Sequence, residues 1–240
     1  MSRLVWGSMR LHERGLSSAQ AADLMKASHE RGVTMFHSSS EYESYPLYLD
    51  ALKQLTGIRP AHMVKLADPH FGEASFDSSR FEQRIDEYLS QLGAQTLDVV
   101  QWMWRGDLKQ EAQRLDGLRA QRDEMLACFE RLKQAGKIRR LALFPYSTGF
   151  ATLALELKCV DALAVYLNPV ELEMVPNIQE AASVGVDTIA IRPLSAGKAL
   201  EAESVASCVR FVLGHAGVSG AVVTYSTLAH LDELLQAEAS

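Results

Sequence analysis

The chain has 240 residues, of which 48% are hydrophobic and 22% charged, so it is long and apolar enough for one sizeable core. Its formal net charge of −6 comes from interspersed acidic and basic residues, and we therefore expect no nucleic acid partner. No apolar run approaches the roughly 18 residues of a membrane-spanning helix, so we expect no membrane partner either.

The three cysteines, Cys128, Cys159 and Cys208, are odd in number and widely separated. Such a set predicts free core thiols in a reducing compartment rather than a disulfide or metal framework. The first residues lead directly into the apolar stretch 4–7 and not into a secretory leader, so a cytoplasmic location is expected. No spacing of histidines, cysteines and carboxylates is typical of a metal site, and we predict no bound metal.

Short apolar runs alternate with helical patterns along the chain. The apolar runs predict strands over residues 4–7, 33–37, 62–67, 97–104, 141–144, 162–167, 188–191 and 220–223. Apolar residues at helical spacing predict helices over residues 18–31, 47–55, 77–92, 122–134, 150–157, 177–183, 204–213 and 228–238. Eight strand-helix units predict a parallel sheet closed into a (β/α)8 TIM barrel. With no linker in the pattern, residues 1–240 are predicted to form a single domain.

The longest predicted connection covers residues 105–121. It is charged, poor in apolar residues, and contains Gly106 and Gly117. In a barrel such a segment would be a loop over the mouth, and loops of this length are usually functional or mobile.

Ionisable residues lie at the end of one predicted strand and inside another. The strand 33–37 ends at His37, with Tyr42 in the loop beyond it, and in a TIM barrel the carboxyl ends of the strands carry the chemistry. Lys65 lies within an apolar strand, where an ammonium group is costly to bury without a partner. We expect Tyr42 and Lys65 to face the barrel mouth. For His37 two interpretations are equally open: a functional group at the barrel mouth, or a structural strand-end residue bonded only to backbone.

Four large aromatic residues lie near predicted strand ends. Alternate residues of a strand point to opposite faces, so at most half of them can line an apolar pocket. They are Phe71, Trp102, Trp104 and Phe144.

The polar cluster after the second strand resembles the signature of the aldo-keto reductase family. Phe36 and Tyr42 match that signature, whereas His37 stands where the family has an aspartate and Glu43 where it has a glycine. Five further stretches resemble the family in the same order along the chain. They are residues 6–11, 92–93 with 97–101, 135–139, 192–197 and 220–223.

The resemblance implies a TIM barrel of the aldo-keto reductase type that reduces a small aldehyde or ketone by hydride transfer from NADPH. It makes Tyr42 the general acid, Lys65 the residue that tunes it, and His37 an assisting group at the aspartate position. Met103 stands where the family has a histidine that orients the substrate oxygen, and a thioether cannot donate that hydrogen bond. An imidazole also offers Lys65 no negative charge, so the lysine should lose its proton more easily. The active site is therefore a divergent one.

The same resemblance implies that the cofactor contacts come from five positions. They are Asn168, Arg192, Leu194, Ser226 and Glu233. The serine-asparagine pair that binds the nicotinamide amide in the family is replaced by Phe144 and Pro145. The basic residue for the 2′-phosphate is missing after the last strand, where Lys198 is a candidate replacement and Ser226 is equally an ordinary helix cap.

These replacements leave a second hypothesis open. The chain could instead be a catalytically inactive relative whose barrel mouth binds a small molecule or a protein partner.

Overall fold

A computed structural model describes residues 2–239 and contains eight strands. They are Leu4–Gly7 (β1), Met35–Ser38 (β2), Ala61–Ala67 (β3), Leu97–Met103 (β4), Ile138–Leu143 (β5), Ala162–Tyr166 (β6), Asp187–Ile191 (β7) and Val218–Val223 (β8). The strands form a closed barrel in the order β1 to β8. The pairs β1–β2, β1–β8, β4–β5 and β5–β6 are parallel, which confirms the predicted TIM barrel.

A helix follows each strand. The helices are Ser18–Glu30 (α1), Tyr45–Leu52 (α2), Ser78–Leu92 (α3), Glu111–Gln134 (α4), Thr148–Glu156 (α5), Val175–Ser183 (α6), Val205–Leu213 (α7) and Leu228–Ala239 (α8). A short 3-10 helix, Ser195–Glu201, lies between β7 and α7. The predicted capping of α1 is confirmed, because Ser17 accepts from the Gln20 N–H and the Gln20 side chain accepts from the Ser17 N–H.

The chain divides into two compact units. Residues 2–63, 166–172 and 189–239 form one, called here the terminal unit, and residues 64–165 and 173–188 form the other, the central unit. The single domain over residues 1–240 stays a prediction.

The core of the terminal unit is built on Trp6. Its ring packs edge-on against Phe36, with ring centroids 5.5 Å apart, and its indole N–H donates to the carbonyl oxygen of Tyr225 at 3.1 Å. The Tyr225 hydroxyl in turn donates to the Ser28 hydroxyl at 2.8 Å, so α1 and the loop after β8 are joined inside this unit.

The core of the central unit is an aromatic cluster between β4, α3 and α4. The ring centroid of Phe129 lies 5.4 Å from that of Trp102, 5.4 Å from that of Phe81 and 5.8 Å from that of Phe76. The Trp102 indole N–H donates to the carbonyl oxygen of Asp68 at 2.7 Å, which links β4 to the end of β3.

The predicted connection over residues 105–121 is correct only as far as residue 110, because α4 begins at Glu111. Gly117, which the sequence analysis placed in this connection, lies inside the helix. A Cβ atom at this position would lie 2.8 Å from Cζ2 of Trp104, so the glycine lets the helix approach the indole ring.

Strand β5 and helix α2 begin earlier than predicted. Arg139 and Arg140 belong to β5, where they form ion pairs with Asp98 at 3.3 Å and Asp187 at 2.7 Å. Helix α2 begins ahead of the apolar run because Pro46 occupies its first turn, a position that proline favours.

The cysteines are free and buried, as the sequence predicted. Burial raises the pKa of both the Cys128 and Cys159 thiols to about 12. Within residues 2–239, the structure has no helix with the length and apolar character needed to cross a membrane.

Candidate active site

The end of β2 brings His37 and Tyr42 together in the terminal unit. His37 is buried within the strand, and its carbonyl oxygen accepts from the Ser8 N–H at 3.0 Å. Tyr42 lies in a turn in which its N–H donates to Ser39 and its carbonyl oxygen accepts from Tyr45. The ring centroids of His37 and Tyr42 are 6.0 Å apart at 57°. A half-buried phenol and a buried imidazole therefore face each other at the carboxyl end of a barrel strand.

Lys65 and Met103 lie in the central unit. Lys65 is half-buried in β3, and its carbonyl oxygen accepts from the Tyr88 hydroxyl at 2.9 Å. Met103 is the last residue of β4 and is only 1% exposed, packed with Ala67 and Phe144. The position of the family's substrate-orienting histidine is thus occupied by an apolar contact.

Two side chains that the sequence analysis did not select contact Met103, and a third, His70, contacts one of them. Arg105 donates from Nε to the Tyr146 hydroxyl at 2.9 Å, and its Nη1 lies 2.7 Å from Nε2 of His70. The Met103 sulfur lies 3.4 Å from the Tyr146 hydroxyl and 3.8 Å from Nη2 of Arg105. Residue spacing is the one signal in the sequence that could have found Arg105. In an extended segment, residues two apart point to the same side, and Arg105 lies two residues after Met103.

The loop after β3 is held by two carboxylates and two guanidinium groups. Arg80 binds Asp68 through two bonds of 2.8 Å, and Arg84 reaches Asp68 at 3.0 Å and Glu73 at 2.6 Å. Burial tends to raise the pKa of Glu73. The hydrogen bonds from Arg84 and from the His70 N–H, with the charges of Arg84 and Arg80, outweigh burial, and the pKa is lowered. This network fixes the loop that carries His70.

Arg114 joins the ends of β4 and β5. Its buried guanidinium donates to the carbonyl oxygens of Trp104 and Pro145, both at 2.9 Å from Nη2, and stacks on Phe150 at 4.6 Å. Burial lowers the pKa of Arg114, against the raising effect of the nearby Glu111. The side chain holds together the two loops that present Arg105 and Tyr146.

The predicted cofactor residues Asn168 and Arg192 come together in the terminal unit, around Glu171. The Asn168 amide donates to the Glu171 carboxylate and to the carbonyl oxygen of Arg192, and its oxygen accepts from the N–H groups of Val170 and Glu171. Glu171 also accepts from the Ser195 hydroxyl at 3.0 Å and lies 3.5 Å from Nη1 of Arg192. The polar groups at the ends of β6 and β7 are therefore bonded to one another.

The loop after β7 is strained. Arg192, Ser195 and Ala196 have φ angles of 58°, 47° and 55°, and residues other than glycine pay about 1–3 kcal/mol for such conformations. Backbone strain of this kind is concentrated at binding and catalytic sites, and the predicted contact Leu194 lies in this loop.

The two remaining predicted contacts are separate from this cluster. Ser226 is half-buried in the loop between β8 and α8, and Glu233 is exposed on α8. The candidate phosphate contact Lys198 is exposed on the 3-10 helix.

Half of the four candidate pocket aromatics lie beside Met103 and Arg105. Phe144 packs on Met103, and the guanidinium carbon of Arg105 lies 4.8 Å from the Phe71 ring centroid. Trp102 and Trp104 are instead buried against α4 and its neighbours. No group of three or more histidine, cysteine or carboxylate side chains among residues 2–239 is arranged to hold a metal ion.

The model of the aldo/keto reductase family matches residues 3–206 of this chain. Among solved structures, a Pseudomonas aeruginosa protein described as an aldo-keto reductase is 19% identical with a TM-score of 0.78, covering 99% of this chain and 90% of its own. The holo form of an aldo-keto reductase from Bacillus halodurans is 16% identical and has a TM-score of 0.77. The match covers 99% of this chain and 87% of the Bacillus protein. A protein described as a 2,5-diketo-D-gluconic acid reductase B is 15% identical and has a TM-score of 0.71. The match covers 98% of this chain and 82% of that protein.

At these identities the structural likeness shows the fold alone. No curated protein sequence matches the chain.

Proposed function

This chain belongs to the aldo/keto reductase family, and we propose that it is an NAD(P)H-dependent oxidoreductase that reduces a small aldehyde or ketone. The observation that carries the proposal is the pairing of Tyr42 with His37 at the end of β2. A phenol held at the carboxyl end of a TIM-barrel strand is suitably located to act as a general acid.

The residues present fit the nicotinamide half of a dinucleotide better than its adenosine half. Family members generally use NAD(P)H, and Asn168 and Arg192 are of the right chemical kind to hold the nicotinamide half once Glu171 releases them. Leu194 supplies the turn between β7 and the 3-10 helix, and Ser226 and Glu233 are the proposed contacts of the adenosine half. No lysine or arginine follows Arg210 in the sequence, so the segment after β8 offers no cation to the 2′-phosphate of NADPH.

When bound, the dinucleotide would supply a hydride to the carbonyl carbon. Tyr42 would donate its hydroxyl proton to the carbonyl oxygen, so that the negative charge developing there is neutralised. His37, with a ring centroid 6.0 Å away, is the proposed source of a replacement proton, since an imidazole exchanges protons near neutral pH. The resemblance to the family assigns Lys65 the role of tuning the acidity of Tyr42, and that role stays a proposal.

A cofactor titration tests this function. Purified protein is titrated with NADPH and, separately, with NADH, while tryptophan fluorescence and heat release are followed. Saturable binding in the micromolar range is expected for at least one of them. Absence of binding up to millimolar concentration would exclude nicotinamide chemistry.

A second function is supported by two particular observations. Met103 is packed where a hydrogen-bond donor to substrate is expected, and the Asn168 amide is bonded on both its nitrogen and its oxygen. Both suit an inactive relative that binds a small molecule or a protein partner at the barrel mouth. Ligand binding without any carbonyl reduction, with either dinucleotide present, is the result that would favour it.

A further inference from the structure

A cavity of about 210 Å³ lies in the central unit, between the loops after β3 and β4 and the first turn of α4. It is lined by residues 72–74 and 106–107 and by Trp104, Gln113 and Arg114. Its volume equals that of roughly seven molecules of liquid water, and sites for drug-sized ligands have about 300–1,000 Å³. The cavity therefore suits a small molecule. None of the residues that line it is among the candidate catalytic or cofactor residues.

The indole N–H of Trp104 faces this cavity. Trp104 is only 2% exposed, yet its N–H has no hydrogen-bond partner among residues 2–239, whereas a buried tryptophan usually finds one. The far edge of the ring lies against Gly117 of α4. The edge with Nε1 borders Gly106, where a Cβ atom would lie 3.7 Å from Nε1. A donor on a buried side chain is thus directed at the cavity, and a ligand oxygen there would complete its bonding.

Arg114 brings a second unused donor to the same cavity. Its Nε and Nη2 donate to the carbonyl oxygens of Trp104 and Pro145, and its Nη1 forms no hydrogen bond within residues 2–239. The side chain is 3% exposed, so these bonds hold the guanidinium in place. Two buried side chains with a donor to spare therefore line the cavity.

Acceptor groups line the cavity as well. One carboxylate oxygen of Asp107 accepts from the Lys109 N–H at 3.0 Å, and Asp107 forms no ion pair in the part of the chain that the structure describes. The side-chain amide of Gln113 has no hydrogen-bond partner among the same residues. The charge of Glu73 is already compensated by Arg84, at 2.6 Å. The cavity therefore offers donors and acceptors together.

This mixture of groups selects one type of ligand. An anion would be repelled by the unpaired carboxylate of Asp107, and a cation by the buried guanidinium of Arg114. An apolar molecule would leave the Trp104 N–H unbonded. A hydroxyl group donates one hydrogen bond and accepts up to two, so a neutral molecule with several hydroxyl groups satisfies both kinds of group.

We propose that this cavity binds a small neutral compound with several hydroxyl groups. One hydroxyl oxygen accepts from the Trp104 N–H, another hydroxyl donates to the Asp107 carboxylate, and the Gln113 amide serves as donor or acceptor. The inference goes beyond the proposed reductase function and does not depend on it, since it involves neither Tyr42 nor a nicotinamide cofactor.

The test uses three ring compounds that carry no aldehyde or ketone. They are myo-inositol, the anionic polyol quinate, and cyclohexanol, which has a single hydroxyl group. Binding to the full chain is measured by calorimetry without cofactor, for the wild type, Trp104→Phe, Asp107→Asn and Gln113→Ala. Asp116→Asn is the matched control, because Asp116 is an exposed carboxylate of α4 that pairs with Arg119 at 3.2 Å and does not line the cavity.

The wild type and Asp116→Asn are expected to bind myo-inositol with a Kd of about 1 mM, a usual affinity for a ligand of about a dozen heavy atoms. Quinate and cyclohexanol are expected to bind at least about threefold more weakly, because one adds a repelled charge and the other lacks hydroxyl groups. Trp104→Phe and Gln113→Ala should each weaken myo-inositol binding by about threefold or more through the loss of a hydrogen bond. Asp107→Asn should remove most of the preference for myo-inositol over quinate, because the amide carries no charge.

Thermal unfolding verifies that each variant is folded. Absence of myo-inositol binding at concentrations well above the expected Kd would show that the cavity holds water only, and it would overturn the inference. Equal binding of myo-inositol and quinate by the wild type, or unchanged myo-inositol binding by folded Trp104→Phe, would do the same. If Trp104→Phe does not fold, Asp107→Asn still decides the question, since its residue is exposed and an unchanged preference against quinate would contradict the proposed contact.

Discussion

Replacing Gly117 by alanine should destabilise the protein, although alanine is the better helix former. In an exposed helix the change would add about 1 kcal/mol of stability. Here the new Cβ would lie 2.8 Å from Cζ2 and 3.3 Å from Cη2 of Trp104, whereas ordinary contacts begin at 3.4 Å. The indole is 2% exposed, and its ring is packed against Trp102 and Phe150, so it has little room to move.

Overpacking of a filled core costs about 1–3 kcal/mol, which outweighs the gain in helix propensity. The net effect is a destabilisation of about 1 kcal/mol, and for a chain of this size the midpoint of thermal unfolding should fall by about 2–4 °C. Thermal unfolding followed by circular dichroism measures this shift.

Gly149 provides the matched control. A Cβ at this position in α5 would meet only the Glu111 carboxylate at 3.0 Å, the end of a flexible side chain. Gly149→Ala should therefore leave the midpoint unchanged or raise it. Trp104→Phe, which shortens the ring system, should partly relieve Gly117→Ala in a double-mutant cycle. If Gly117→Ala were as stable as Gly149→Ala, the proposed contact between α4 and the indole would be refuted.

Three further predictions follow from the candidate site. Glu73→Gln should lower the stability near neutral pH, because the folded-state pKa of Glu73 is lowered. The difference from wild type should shrink as pH falls below 4.5 and through that lowered pKa, and Tm measured against pH tests this. Arg114→Met should lower the free energy of unfolding by about 3 kcal/mol or more in a urea titration. It leaves the buried carbonyl oxygens of Trp104 and Pro145 unbonded, and each costs about 1–3 kcal/mol. A loss below about 1 kcal/mol would contradict this. NADPH should bind no more tightly than NADH, since residues 211–239 contain no lysine or arginine. A tenfold preference for NADPH in paired titrations would indicate a phosphate contact elsewhere, for which Lys198 is the candidate.

The barrel was predictable because its signals are local. Each strand is an apolar run and each helix has apolar residues at helical spacing, so the pattern specifies the alternation and the count. The capping of α1 by Ser17 was found for the same reason, since its partner Gln20 is three residues away. One local signal was missed, since Pro46 stands directly before the apolar run of α2 and starts that helix earlier than predicted.

The errors arose where the deciding partner is distant in the sequence. Gly117 was placed in a connection rather than in a helix, because the ring that requires a glycine there, Trp104, lies outside α4. Arg139 and Arg140 were left outside β5 because the carboxylates that pair with them there, Asp98 and Asp187, lie on β4 and β7. Hydrophobic periodicity carries no information about such contacts.

The candidate site shows the same division. Tyr42 and His37 stand five residues apart at one strand end, so the sequence analysis could select both, and their roles stay predictions. Arg105, His70 and Tyr146 come from three different loops and meet only in the folded chain, so no single stretch identifies them.

The central claim is that Tyr42 acts as the general acid in carbonyl reduction, and the most direct measurement is steady-state turnover of an aldehyde by the wild type and by Tyr42→Phe. Either NADH or NADPH is used, whichever binds, and thermal unfolding is compared to verify that both proteins are folded. We predict that Tyr42→Phe lowers kcat by at least about 10²-fold, as expected for the loss of a general acid, and leaves cofactor binding within about twofold. An unchanged kcat in the folded variant would contradict the account.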